Sequence, residues 1–574
     1  MASATSITAA PKATGLGDSL REWAPQLVVA AALLFWGFQI AWFWRYCGHN
    51  INSDAVSYIG IARHILDGDF RASLHGYWSP LVSWLIAALS PFSKNLMLDA
   101  RLLMFPAFAA CLFLTYRLTY KLWGSRLLAA LALLWFAAAR GLAAFTVFFI
   151  GADLILTAFT LLYFTLLLAC IEKPNDNANW IWLGVVHSFA FLAKAIAMPL
   201  FAVSTLVVAA WTLSRKATRA LRALLLAAIF PALVWFGWGM ALRAKYGVFT
   251  TGYQLHWNLL DPASRAAEAH RLYGMLALRE ERETLDSYMV TDSMPPASPF
   301  WKMSIRQNHL LRRIARSEMQ NIPKACKELL VLLTPGGLLA LLLCLVGLTR
   351  KRLQLPAQFR FACVVLLTSA TLIAAYSMLV LDTRYVIPIA PAWMALAIRF
   401  AVPPAWSHAA EPQSKAKSLQ AIAAVLLAIG MVTVQVYWAS PFRTIGQDFQ
   451  TSVYQTAEIL KQAHARTLVN IGLGPYPEHG VGWEAGYYTG FFGNLRVIGG
   501  LQEIPSSINP SSVAADLAKL RADAVVVWGA PSDSTCGEIV SRIHTDYPNN
   551  PPIAINDPKK GQVATLFLLN GKSS

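Results

Sequence analysis

The sequence predicts a polytopic α-helical membrane protein with about eleven membrane-spanning helices, followed by a carboxyl-terminal soluble α/β domain. Hydrophobic residues make up 56% of the 574 positions and charged residues only 14%, against about 25% charged residues in soluble domains. Several apolar stretches also exceed the roughly 18 residues that indicate a membrane span. This composition excludes a soluble enzyme and a small disulfide-stabilised scaffold.

Eleven apolar runs define the predicted membrane domain, residues 24–438, which follows a polar tail over residues 1–23. The first run is longer than a signal-peptide core and no small-residue cleavage site follows it, so we expect it to remain as an anchor. Arg140 interrupts the third run, and the fifth run is short for a full crossing. The runs lie near 24–44, 97–120, 127–150, 152–171, 180–193, 196–213, 223–242, 328–348, 358–380, 385–402 and 419–438.

The distribution of Lys and Arg predicts that the amino terminus is cytoplasmic. In that orientation the short cytoplasmic segments hold 14 Lys and Arg in 71 residues, and the opposite short loops hold 7 in 70, as the positive-inside rule requires. Treating 180–213 as one span would place the two densest basic clusters, 214–222 and 349–357, on the outer side. We therefore expect a multi-pass protein with a periplasmic carboxyl-terminal domain.

The expected location is the bacterial inner (cytoplasmic) membrane. A membrane of the endoplasmic reticulum would give the same charge pattern, but the sequence carries no retention signal for that compartment, which favours the bacterial case. The net charge of +17 can indicate nucleic-acid binding. Because the bases lie mostly between apolar runs and in the long polar segments, anionic membrane lipid is the expected partner and nucleic acid is not.

Three segments on the predicted outer side are too long to be simple connections. Residues 45–95 carry polar and aromatic side chains in helix-like order, and residues 243–327 include a charged, helix-prone stretch. Residues 440–574 form the predicted periplasmic α/β domain, because apolar runs typical of strands alternate there with segments typical of helices. The predicted strands are 467–472, 496–501, 523–528 and 564–569, and the predicted helices are 511–521 and 538–545.

The seven cysteines have no spacing typical of a metal site. Four of them lie within apolar runs and are expected to be packing residues. The other three could be free thiols or could form a disulfide; these are Cys47, Cys326 and Cys536.

Four ionisable residues are predicted to lie at one depth on the outer side of the membrane. Asp54 follows the first span, Asp153 begins the fourth, Lys194 lies between the fifth and sixth, and Arg384 lies at the start of the tenth. Such residues are costly at a membrane boundary and usually have a partner or a function. A carboxylate can take a proton from an acceptor and a cation can hold a phosphate, so the group favours transfer from a phosphate leaving group.

Each of these residues also has a purely structural interpretation. Asp54 and Asp153 could cap the helices that begin beside them. Lys194 and Arg384 could be anchors that extend toward lipid headgroups. Tryptophans of the outer segments could stack on sugar rings, although Trp is common at membrane interfaces for other reasons; these are Trp78, Trp257, Trp301 and Trp483.

The order of these motifs resembles that of the C-type (GT-C) membrane glycosyltransferases, the superfamily of protein O-mannosyltransferases and lipid A aminoarabinose transferases. The resemblance covers about residues 24–402. It rests on the early outer Asp, the Asp that opens a later span, the Phe-Leu-x-Lys turn and the Arg-Tyr-x-x-Pro motif. In the first outer loop it includes Asp54-x-x-x-Tyr58, Ile61-Ala62-Arg63, Gly68-Asp69-Phe70 and Gly76-Tyr77-Trp78-Ser79-Pro80-Leu81.

The resemblance implies a GT-C-like fold and an inverting transfer of sugar from a polyprenyl phosphate to a lipid, glycan or protein acceptor. It implies that Asp54 and Asp153 are catalytic, that Lys194 and Arg384 bind the donor phosphate, and that Tyr58 and Tyr385 contact donor or acceptor. Since Asp54 lacks the acidic neighbour that many relatives carry, no cofactor is expected and a divalent metal is not indicated. The loop before Pro80 lacks the Lys or His of some relatives, so the sugar stays open.

Three other functions remain open at the level of sequence. A transporter would also have many spans and ionisable residues, but it would be expected to show paired halves and charges near the bilayer midplane. A flippase or ligase for lipid-linked glycans would share the same donor lipid. A catalytically inactive relative could act as a scaffold.

Overall fold

The computed structural model describes the chain in several ranges. They are 16–47, 51–93, 95–139, 142–213, 217–252, 321–329, 356–377, 383–401, 451–472, 475–476, 480–501, 517, 520–529, 534–557 and 561–569. The predicted span near 419–438 lies outside them, as do nearly all of the span near 328–348, most of the segment 243–327, and Trp257 and Trp301. The predicted domain boundary near residue 440 lies outside them as well.

The regular secondary structure described in the first part of the chain is helical. Helices α1 to α13 are Leu16–Cys47, Ser53–Leu66, Phe70–Ser73, Leu81–Ser93, Leu96–Trp123, Arg126–Ala137, Ala144–Val147, Ala152–Glu172, Asn177–Ala193, Ala197–Leu213, Ala217–Tyr246, Pro356–Ser377 and Ala390–Ala401, with a 3₁₀ turn at Thr383–Val386 before α13. Residues 321–329 are also helical.

Local sequence signals explain where several of these helices begin and end. The Asn95 side chain accepts hydrogen bonds from the amides of Met97 and Leu98 at 3.2 Å, which caps α5. The same helix ends at Gly124, whose φ of +65° closes the last turn. Ser125 then caps α6 by accepting from the amide of Leu128 at 3.3 Å. Because stop and start signals are adjacent, α5 and α6 form an antiparallel pair.

Five helices of the described ranges are long and apolar enough to cross a membrane: α1, α5, α8, α11 and α12. Their lengths of 21 to 29 residues span the hydrocarbon core at about 1.5 Å per residue. The chain is therefore a membrane protein. The predicted separation of 180–193 from 196–213 also holds, because α9 ends at Ala193 and α10 begins at Ala197.

Two predicted spans are wrong as continuous helices. The run 127–150 breaks after Ala137, and the run 385–402 begins with a 3₁₀ turn and becomes α-helical only at Ala390. Each remaining α-helix, α6 and α13, has 12 residues or about 18 Å, well short of a crossing. Nearly every residue of α6 is buried, because the helix packs between α1 and α5. Its apolar composition reflects burial inside the protein instead of contact with lipid.

The last part of the chain contains a mixed β-sheet. Strands β1 to β7 are Thr467–Gly472, Pro475–Tyr476, Gly480–Val481, Arg496–Leu501, Ala524–Trp528, Ile553–Asp557 and Gly561–Leu568, and helices α14 to α16 are Thr451–Gln462, Gly482–Gly493 and Ser534–Asp546. The five longer strands form one sheet in the order β4-β1-β5-β7-β6. Strand β1 is parallel to β4 and β5, and β7 is antiparallel to β5 and β6.

The four predicted strands coincide with β1, β4, β5 and β7 to within three residues. All five residues of β5 are buried, as expected for a strand covered on both faces. The predicted helix 538–545 lies within α16, and the predicted helix 511–521 lies mostly outside the described residues. Cys536 is buried beneath this sheet and Cys326 is exposed, while the side chain of Cys47 lies outside the described part.

The sheet region contacts the first loop of the membrane region. Helix α15 packs on α2, and the guanidinium of Arg63 on α2 lies 5.0 Å from the ring centre of Phe491 on α15. This cation–π contact contributes about 0.5–1 kcal/mol at an exposed position. It connects the carboxyl-terminal end of α2 to α15, and the first turn of α2 carries Asp54.

Candidate active site

All six predicted site residues line one pocket. Its empty volume is about 440 Å³, including the space at its mouth. The two carboxylates, two cations and two tyrosines come from four distant parts of the chain, and the fold brings them together. The pocket is lined by Asp54, Tyr58, Tyr77, Trp78, Ser79, Ala152, Asp153, Lys194, Arg384 and Tyr385.

The charged residues stand at helix ends that favour their charges. Asp54 is the second residue of α2, and Asp153 is the second residue of α8, where the positive end of the helix dipole stabilises an anion. Lys194 is the residue that closes the carboxyl end of α9, where the dipole favours a cation. The ends of three helices thus fix the positions of Asp54, Asp153 and Lys194.

The four charges form two ion pairs. Lys194 Nζ donates to Asp153 Oδ1, and Arg384 Nη1 donates to Asp54 Oδ2. The side chains of Asp153 and Lys194 are 7% and 13% exposed, and those of Asp54 and Arg384 are 18% and 22% exposed. Removing one partner of the more buried pair, Asp153 and Lys194, costs about 3–5 kcal/mol, because the other charge stays buried and unpaired.

The geometry does not fit helix capping or headgroup anchoring as the role of these four residues. The N-caps of α2 and α8 are Asn52 and Gly151, so neither Asp54 nor Asp153 is a cap. Both cations are largely buried and bind carboxylates, so neither is a headgroup anchor.

Tyrosine rings surround the two cations. Lys194 Nζ lies 4.5 Å from the ring centre of Tyr385 and 5.5 Å from that of Tyr376. The two rings stack with centres 4.2 Å apart and planes 2° apart. Arg384 Nη2 also donates to the Tyr385 hydroxyl at 3.3 Å. Burial alone lowers the pKa of Lys194, but Asp153 together with Tyr376 and Tyr385 more than offsets it, so the pKa is raised and the ammonium keeps its charge.

Three further aromatic rings form one wall of the pocket. The ring centres of Tyr58 and Trp78 are 5.2 Å apart, and those of Tyr77 and Trp78 are 4.8 Å apart, both edge to face. Burial raises the pKa of Tyr58, so its hydroxyl stays protonated and can donate a hydrogen bond. Of the four tryptophans considered as sugar platforms, Trp78 therefore lies at the pocket. The side chain of Trp483 is outside the described part.

The carboxyl end of α11 holds this wall in place. Lys245 Nζ donates to the carbonyls of Leu74 at 2.6 Å and Ala72 at 3.3 Å, and the Gly76 amide donates to the Tyr246 hydroxyl at 3.3 Å. His75 Nδ1 accepts from the amides of Tyr77 and Trp78 at 3.0 and 3.3 Å. The segment before Pro80 is thus fixed although it has no regular secondary structure.

Sequence reasoning did not assign Tyr376, Tyr77, Ser79 or Ala152 to the site. Tyr77 and Ser79 stand in a motif that was noted, and only its approach to the pocket in space identifies them. Tyr376 lies near the end of an apolar run, where an interfacial tyrosine is ordinary. Within the described residues no group of three or more His, Cys, Asp and Glu side chains could hold a metal ion.

Comparisons with known proteins identify the fold. No protein-family model matches the sequence, and no curated protein matches it. Among solved structures, ArnT from Cupriavidus metallidurans bound to undecaprenyl phosphate has a TM-score of 0.56 at 12% identity, over 95% of this chain and 98% of that one. This likeness shows a shared fold.

Two further structures are similar over most of the chain. ArnT from Cupriavidus metallidurans in the apo state has a TM-score of 0.48 at 13% identity, covering 96% of this chain and 98% of that one. The Archaeoglobus fulgidus oligosaccharyltransferase in complex with Zn and sulfate has a TM-score of 0.40 at 11% identity, covering 87% and 68%.

Proposed function

We propose that this chain, which has the C-type membrane glycosyltransferase fold, transfers a sugar from a polyprenyl phosphate to an acceptor with inversion at the anomeric carbon. The observation that carries the proposal is the pocket in which Asp54 and Asp153 meet Lys194 and Arg384. A base for an acceptor and a cationic seat for a phosphate are the two things that this transfer needs. An ArnT structure of the same fold is bound to undecaprenyl phosphate, which supports a lipid phosphate as the leaving group.

The reaction is a single displacement. The acceptor oxygen or nitrogen forms a bond to the anomeric carbon while the bond from that carbon to the phosphate oxygen breaks. The acceptor proton passes to the carboxylate of Asp54, and the electron pair of the broken bond leaves with the polyprenyl phosphate. Arg384 and Lys194 stabilise the charge that develops on this phosphate, and the lipid then diffuses away in the membrane.

Pairing between Asp54 and Arg384 gives the site a means of protecting its base. While Arg384 binds Asp54, the guanidinium occupies an oxygen of the carboxylate that would take the acceptor proton. A donor phosphate competes with Asp54 for the same guanidinium, which has five N–H donors. Binding of the donor therefore loosens the contact between Arg384 and Asp54 and frees the carboxylate oxygen when the sugar is in place.

The aromatic wall of Tyr58, Tyr77 and Trp78 is the proposed seat of the sugar ring, because aromatic faces present apolar contact area beside a polar group. The remaining elements of the proposal come from the sequence. The Lys and Arg distribution favours a cytoplasmic amino terminus and a pocket that opens on the outer side of a bacterial inner membrane. The acceptor is an envelope lipid, glycan or protein.

The test is release of polyprenyl phosphate from labelled polyprenyl-phosphate sugars by the purified protein, with extracted envelope lipids and glycans as acceptors. Wild type should label an acceptor, and Asp54→Asn should not. Asp67→Asn is the matched control, because Asp67 is an exposed residue at the other end of the same helix. If a broad donor panel yields no released lipid phosphate with wild type, the transferase proposal is wrong, and transport of the lipid-linked sugar becomes the explanation to test.

A further inference from the structure

Asn52 makes a hydrogen bond that its position in the helix does not require. It is the N-cap residue of α2, yet its side chain accepts no hydrogen bond from that helix. Instead, Asn52 Oδ1 accepts from the backbone amide of Ile150 at 2.9 Å, across 98 residues of sequence. An N-cap Asn normally satisfies an amide of its own first turn, worth about 1 kcal/mol. Here the local bond is replaced by a distant one.

The two joined residues stand at equivalent points of the site. Asn52 lies two residues before Asp54, and Ile150 lies three residues before Asp153. Asn52 is the N-cap of α2, and Ile150 directly precedes Gly151, the N-cap of α8. The bond therefore joins the starts of the two helices whose second residues are the acids of the pocket. Ile150 is fully buried, so its amide depends on acceptors within the protein. These are Asn52 Oδ1 and the Phe148 carbonyl, to which the amide also donates at 3.1 Å, and only the Asn52 bond connects it to the other helix start.

We propose that Asn52 is a positioning residue that sets the distance between the carboxylates of Asp54 and Asp153. The inference rests on the proposed transferase function and adds to it the element that holds the base in register with the rest of the pocket. Lys194 and Arg384 lie on other elements, the end of α9 and the 3₁₀ turn, so this bond sets the backbone positions of the two carboxylates and not those of the two cations. Loss of the bond should then impair the chemical step and spare donor binding.

Two substitutions separate the long-range bond from helix capping. Asn52→Ser keeps a good N-cap for α2, but the shorter side chain cannot reach Ile150. Asn52→Asp keeps an oxygen at the same distance along the side chain and can accept from the same amide. A purely structural role as a cap would leave Asn52→Ser equal to wild type.

The experiment measures kcat, donor affinity and amide hydrogen exchange at Ile150 for wild type and both variants in lipid nanodiscs. Asn52→Ser should expose the Ile150 amide to exchange and lower kcat about 10- to 100-fold, since misplacement by about 1 Å can cost 10²-fold. The Kd for the polyprenyl phosphate should stay within about twofold of wild type. Asn52→Asp should restore both the protection of the amide and most of kcat.

Three outcomes would overturn the inference. If Asn52→Ser exposes the Ile150 amide and keeps the wild-type kcat, the bond is real and does not position the base. If the Ile150 amide exchanges as slowly in Asn52→Ser as in wild type, the Asn52 bond does not hold the segment before α8. If kcat and donor affinity fall together and Asn52→Asp restores neither, the residue has a general structural role. A wild type that transfers no sugar overturns the proposed function itself, and the positioning role falls with it.

Discussion

The two ion pairs of the pocket differ in how firmly they are held. Lys194 and Asp153 are the more buried pair, and the stacked rings of Tyr376 and Tyr385 lie beside the ammonium. Arg384 and Asp54 are more exposed, and they join two elements 330 residues apart. In the proposed reaction the two pairs therefore have different roles: Lys194 and Asp153 are the fixed half of the pocket, and Arg384 and Asp54 are the half that exchanges partners.

The largest effect is expected on turnover, from a change in the Arg384–Asp54 pair. Asp54→Asn should lower kcat by about 10²- to 10⁴-fold, because the base is removed, while the thermal midpoint of the purified protein should change little. Single-turnover transfer and a thermal scan on the same preparation measure both quantities. Wild-type kcat in this variant would remove Asp54 from the role of base.

A change in the Lys194–Asp153 pair should lower the stability of the protein instead. Asp153→Asn leaves the buried ammonium of Lys194 without its carboxylate and should lower the free energy of unfolding by about 3–5 kcal/mol, measured by chemical denaturation in mixed micelles. The double variant Asp153→Asn/Lys194→Met should recover much of this loss, because no buried charge is left unpaired. Equal stability of Asp153→Asn and Asp54→Asn would show that the two halves do not differ.

A third test asks whether the geometry of Arg384 matters beyond its charge. Arg384→Lys keeps the cation but loses the planar fork that reaches both Asp54 and the Tyr385 hydroxyl. The donor KM should rise about tenfold or more, since a hydrogen bond to a charged group contributes about 1.5–3 kcal/mol. Arg360→Lys, at the opposite end of α12 from Tyr376, is the control and should keep the wild-type KM. An unchanged KM in Arg384→Lys would mean that a point charge suffices.

The smallest effect is expected at the tyrosine stack. Tyr376→Leu removes one of the two rings beside Lys194 and should cost about 0.5–1.5 kcal/mol, or roughly two- to tenfold in donor KM. Tyr376→Phe keeps the ring and should resemble wild type in the same assay. An equal defect in Tyr376→Phe and Tyr376→Leu would show that the hydroxyl, and not the stacked ring, supports the ammonium.

The sequence alone determined the membrane character, the longer spans, four of the five strands of the sheet and the four ionisable residues of the pocket. These features are encoded locally. Apolar runs report on burial over 20 or so residues, strands of a covered sheet are short apolar runs, and a charge at the end of an apolar run stands out against its neighbours.

Tertiary structure alone decided which charges pair and what holds them. Arg384 could have faced Asp153 as readily as Asp54, and nothing in the local sequence joins Asn52 to Ile150 or places Tyr376 against Tyr385. The runs 127–150 and 385–402 were misjudged for a related reason. A helix buried among other helices and a helix in lipid are equally apolar, so an apolar run does not show where a helix inside it begins and ends. Only the structure shows that α6 and α13 have 12 residues each, too few to cross the membrane.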